Sequence, residues 1–129
     1  MSDRSRQRGK RGLVTLDTLE FVYTNQTGII PVFNGHLSGD FDAINRRAYI
    51  FLMRRCCGLN NEQIAKAAGI SFQRVYLLIK RSRYLVYPSY RAYYDPEFAA
   101  LYKSIRAQCK LIAGLKESTI KKYKQQGKL

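Results

Sequence analysis

Apolar residues recur along this chain at two different periods, and the change between them falls near residue 40. Leu19, Phe21 and Tyr23 alternate with Glu20, Val22 and Thr24, a period of two that fits a half-buried strand. Thr24-Asn25-Gln26-Thr27-Gly28 supplies turn chemistry. Ile29 to Phe33 then reads as a second short strand, with Pro31 confining it to a sheet edge. The expected unit is a small N-terminal β-hairpin within residues 13–39. A competing reading of the same letters is a short helix opened by Asp17, with Glu20 three residues on as its reciprocal cap. Asn34-Gly35 to Gly39 reads as a loop.

From residue 40 onward the period becomes helical. Phe41, Ile44, Ala48, Phe51 or Leu52, and Cys56 form one stripe at 3.6-residue spacing, capped by Asp40 or Asp42 and ended by Gly58. Arg46, Arg47, Arg54 and Arg55 lie off that stripe. Asn60 opens a second helix, with Gln63 at the reciprocal cap position. Ser71 opens a third, running to about Tyr84. Asp95-Pro96-Glu97 is a strong start for a fourth: a capping side chain, then proline where its missing N–H costs nothing. Its stripe is Phe98, Leu101 or Tyr102, Ile105, Cys109 and Ile112, closed by Gly114. A last basic helix or tail covers 115–129. The expected fold is mostly α, with the small hairpin in front and a helical domain over 40–114.

The most informative stretch is Asn61 to Lys80. Ala65 is small where the second helix of a pair must come close to the first. Gly69 stands where a tight turn needs positive φ. Ile64, Ala68, Ile70, Val75 and Leu78 supply the apolar contacts that fix the angle between two helices. This pattern resembles the helix-turn-helix of DNA-binding proteins across all twenty positions of that motif. It implies that the start of the third helix projects outward, where it can enter a major groove.

Charge sharpens that picture. The 129 residues hold 23 Lys plus Arg against 9 Asp plus Glu, a formal charge of +14. So large an excess points to phosphate-bearing partners. Residues 1–12 form a basic arm with Arg4, Arg6, Arg8, Lys10 and Arg11, expected to be disordered in isolation. Residues 13–42 contain no lysine or arginine. Residues 43–94 carry Glu62 as their one acid. Basic charge therefore fills the helical part and avoids the segment before it. No apolar run approaches the roughly 20 residues of a membrane-spanning helix. Cys56, Cys57 and Cys109 suit neither a disulfide framework nor a zinc site. His36 is the lone histidine, so no metal centre or catalytic triad assembles around it. Asp40 and Asp42 read as helix caps. No cofactor is expected.

The wider context from Arg46 to Ile112 resembles the C-terminal DNA-binding domain of the bacterial replication initiator DnaA, within the Trp-repressor-like helical class. In that family a helix with an early arginine precedes the helix-turn-helix, and a later helix often opens with Asp-Pro-Glu. Arg46 and Asp95-Pro96-Glu97-Phe98 occupy those places. The resemblance implies that Arg46 reaches a minor groove or a phosphate. The family's Asp-His-Thr-Thr signature is replaced by Ser71-Phe72-Gln73-Arg74, so its target sequence does not carry over. Its ATPase does not either, for lack of a P-loop.

The sequence thus reads as a double-stranded DNA-binding protein that works without catalysis, as a transcriptional regulator or as a replication initiator of a phage or mobile element. The expected location is cytoplasmic, with the nucleoid if the host is bacterial. Gln73 can pair with adenine and Arg74 with guanine. Lys80 and Arg81 suit phosphates, and Arg46, Arg47, Ser71, Tyr76 and Leu77 complete the expected contact set. Phe72 belongs either to the core or to a thymine methyl. Tyr84, Tyr87, Tyr90, Tyr93 and Tyr94, mixed with arginines, either cover the core or stack unpaired bases. The second of these keeps RNA, or a ribonucleoprotein role, as the alternative. A homodimer or a protein partner is left open.

Overall fold

The structure, a computed structural model, describes residues 12–33 and 41–127. The basic arm up to Arg11, His36 and Asp40 lie outside the described residues. Among the described residues six helices follow one another: α1 (Leu16–Thr27), α2 (Ala43–Cys57), α3 (Asn61–Ala68), α4 (Phe72–Val86), α5 (Pro96–Ala113) and α6 (Glu117–Gln126). Among the described residues there is no strand.

The expected hairpin is therefore corrected to a helix. Leu19, Val22 and Tyr23 are all fully buried, and their spacing of three and four is helical. Leu19 and Tyr23 fit both periods, whereas Val22 fits only the helix. Phe21, which the strand reading placed beside them, is half-buried. The cap is Thr15 rather than Asp17: its side chain accepts from the Thr18 N–H. Gly28 closes the helix at φ 75°. Residues 29–33 run on without pairing as a strand.

Helix α2 is the centre of the molecule, and α1, α3, α4 and α5 all pack against it. Its buried set is Ala48, Tyr49, Ile50, Phe51, Leu52, Met53 and Cys56. That is wider than one stripe, as a helix with neighbours on several sides requires. Ile44, expected in the stripe, is 55% exposed in the first turn. Asp42 caps the helix by accepting from the Asn45 N–H. The Tyr23 hydroxyl donates to Asn45 Oδ1, which ties α1 to this same turn. Burial raises the Tyr23 pKa, so the phenol stays a donor.

Helix α5 presents Phe98, Ala99, Tyr102, Ile105, Cys109 and Ile112 to the core. Its cap is the expected one: Asp95 accepts from the Glu97 and Phe98 N–H groups. Phe51 and Tyr102 pack at 4.7 Å between ring centroids, with Arg55 over the one ring and Arg106 over the other. Those two arginines are thereby engaged with aromatic faces of the core. Cys56 and Cys109 are buried in the core, and burial lifts the Cys57 thiol to about 12, so Cys57 stays a neutral thiol. Helix α6 is tied back to α1 by Lys124 Nζ to Asp17 Oδ2 at 2.9 Å.

Candidate nucleic-acid interface

The turn between α3 and α4 sets the geometry of everything around it. Asn60 and Gln63 form a complete capping box at the start of α3. The chain leaves α3 through Gly69 at φ 71°, where the Gly69 and Ile70 N–H groups both donate to the Ala65 carbonyl. Ser71 then caps α4, its Oγ accepting from the Arg74 N–H at 3.1 Å. Only one residue lies between that glycine and the next cap. The left-handed conformation makes so short a reversal possible. Ile64, Ala68 and Val75 are buried, and Ala65, Ile70 and Leu78 are half-buried against the core.

Helix α4 buries Val75, Ile79, Ser82 and Val86 along one line. The buried Ser82 hydroxyl donates to the Leu78 carbonyl. The remaining circumference carries Arg74, Lys80, Arg81 and Arg83 and no acid. Phe72, assigned from the sequence either to the core or to DNA, is 54% exposed. It occupies the first helical position, where the turn behind it leaves no layer to pack beneath.

Two clefts flank α4. The first, of about 100 Å³, is lined by Phe33, by Ala43, Arg46, Arg47 and Ile50 of α2, by Ile70, and by Arg74 and Leu78 of α4. Among the described residues, the buried Nε atoms of Arg46 and Arg47 have no hydrogen-bond partner. Guanidinium groups only donate, so these atoms call for an acceptor. The second cleft, of about 260 Å³, is lined by Arg54 of α2, Asn61 of α3, Tyr76, Ile79, Lys80, Arg83 and Tyr84 of α4, and Tyr90. Arg54 Nη1 donates to Asn61 Oδ1 at 3.3 Å, which points the guanidinium along the cleft. Among the described residues, neither lining contains a carboxylate. Among the described residues, none of these cations is in an ion pair.

The expected contact residues thus come together around α4. Arg46, Arg47 and Arg74 share one cleft. Tyr76 and Lys80 share the other. Gln73, Leu77 and Arg81 are exposed between them. Ser71 is exposed but already committed to its cap. Arg54, Arg83 and Asn61 are site residues that the sequence reading did not place there. A seven-residue step from Arg47 to Arg54 was the available signal, since it keeps two arginines on one side of a helix.

The tyrosine cluster divides. Tyr84 packs against Tyr90 and Tyr93, at 4.8 and 5.9 Å between centroids, while Tyr93 remains 65% exposed. Among the described residues, no group of His, Cys, Asp and Glu could hold a metal ion. No helix there is long and apolar enough to cross a membrane. Compared with known protein families, with curated proteins and with solved structures, the chain matches none.

Proposed function

We propose that this protein binds double-stranded DNA by laying α4 in the major groove, and that it recognises sequence there without catalysing a reaction. One observation carries the reading: among the described residues, an acid-free helix face lies between two acid-free, arginine-lined clefts. Arg46 and Arg54, on opposite flanks, are eight residues apart on α2, about 12 Å at a rise of about 1.5 Å per residue. The major groove is about 12 Å wide. A helix centred in that groove has a phosphate strand on each side, and each cleft offers cations to one strand. The guanidinium groups of Arg46 and Arg47 would meet phosphate oxygens from that cleft.

Within this reading Gln73 faces base edges. Arg74 moves from the guanine contact expected from sequence to phosphate holding, because it lines the cleft with Arg46 and Arg47. Control of transcription and initiation of replication on a phage or mobile element are the two roles such a module would serve. The test is selection of bound sequences from a random duplex library, run beside single-stranded DNA and structured RNA. A discrete duplex motif is expected. Preference for structured RNA would replace this reading with a ribonucleoprotein role.

A further inference from the structure

Leu77 is out of keeping with its surroundings. It is 46% exposed, in the middle of a regular helix that has a buried face available. At about 100° per residue it stands nearly opposite both Val75 and Ile79, so it occupies the crest of α4 rather than an edge. Its neighbours three and four residues away are Gln73, Arg74, Lys80 and Arg81, all exposed and none acidic. The crest is therefore an apolar point ringed by one amide and three cations. A surface complementary to it needs negative charge around a small apolar projection. The major groove at a thymine has that composition: phosphates on both sides and a C5-methyl group between them.

We propose that Leu77 packs on the methyl group of a thymine, making the protein selective for duplexes that carry thymine at that place. The inference rests on the duplex reading above and names the base that it leaves open. Gln73 lies one turn earlier on the same line of the helix, about 6 Å away along the axis. That is close to two base-pair steps of about 3.4 Å. An amide suited to adenine and a leucine suited to thymine would then read neighbouring parts of one A·T-containing core.

Uracil in place of thymine removes the methyl group and leaves every hydrogen-bonding group unchanged. In the preferred duplex, each thymine is replaced singly by deoxyuridine and affinity is measured by fluorescence anisotropy. Wild-type protein should bind about fourfold more weakly for one such replacement, the worth of about one buried CH₂. The replacement should fall within about two base pairs of the position whose discrimination Gln73→Ala relaxes. Leu77→Ala should bind the thymine and uracil duplexes alike. Because Leu77 is exposed, that variant should retain the wild-type circular dichroism and melting temperature. A discrete preferred duplex with no uracil-sensitive thymine overturns the inference and leaves the duplex reading standing. A uracil penalty that persists undiminished in Leu77→Ala overturns it too, since the methyl would then touch another residue. A protein that prefers no duplex overturns both.

Discussion

Gln73 and Lys80 stand on the same exposed side of α4, two turns apart, and they should fail differently when removed. Gln73→Ala should cost about 1–3 kcal/mol on the preferred duplex and relax discrimination at one or two base pairs, with little change on random DNA. Lys80→Ala and Arg74→Ala should weaken every duplex alike, each lowering the salt slope by about one. Competition titrations with preferred and random duplexes separate the two behaviours. Equal losses on both duplexes for Gln73→Ala would mean that α4 grips without reading. At this scale the sequence was a partial guide. Val75, Ile79 and Ser71 could be placed from spacing alone, because helical period and capping chemistry are local. Exposure of Phe72 and Ile44 could not, because each has a stripe-compatible position in a first turn that nothing packs over. The seven-residue step from Arg47 hinted at Arg54, but its cleft is made by α4 with Asn61 of α3 and Tyr90, which meet it only in three dimensions.

The turn before α4 is the element on which the rest depends. A side chain added at Gly69 would meet nothing within 4 Å, so any penalty there comes from the backbone. Gly69→Val forces a β-branched residue to φ 71° and should cost more than about 1 kcal/mol, read as a lower urea midpoint at unchanged m-value. Wild-type stability in that variant would remove the turn from the argument. The cap of α2 gives a pH-dependent counterpart. The Asn45 backbone N–H and side-chain amide hold the Asp42 carboxyl below its ordinary value of 3.8. A lowered folded pKa contributes stability that is present above pH 3.8 and disappears as pH falls through the folded value. The melting-temperature advantage of wild type over Asp42→Asn should therefore shrink below pH 3.8, since an amide caps at any pH. An advantage that persists at low pH would locate the effect elsewhere. Elements with two agreeing signals, such as Asp95-Pro96 with the α5 stripe, were legible in the sequence. Helix α1 was legible only as the competing reading, because Leu19 and Tyr23 satisfy both periods and only the burial of Val22 separates them.

Across the whole molecule, arginine gathers where α2 meets α4. The side around α1 carries Asp17 and Glu20, whereas α4 and the facing turns of α2 carry arginine and lysine. Helix α2 does both jobs: its buried residues hold the other helices, and Arg46, Arg47 and Arg54 place charge on either flank of α4. The absence of lysine and arginine from residues 13–33 was already visible in the sequence, whereas the return of α6, which sets Lys121 and Lys124 beside α1, was not. Six cations line the two clefts. Each phosphate neutralised lowers the slope of log affinity against log salt by about 0.9, so the clefts alone predict about −5. Residues 1–12 add five more cations. The full chain should then lie between about −5 and −9, and a chain starting at residue 13 should move toward −5. Arg46→Ala with Arg47→Ala should remove about two units, and Arg54→Ala with Arg83→Ala about two more. The losses should add, because the two pairs would face different strands. Anisotropy titrations between 50 and 300 mM salt (about sixfold in ionic strength) read all four slopes, with melting temperature reporting whether each variant is folded. If one pair leaves the slope unchanged, its cleft faces solvent rather than a strand. Helix α4 would then be held from a single side, and the match between the Arg46–Arg54 spacing and the groove width would carry no weight.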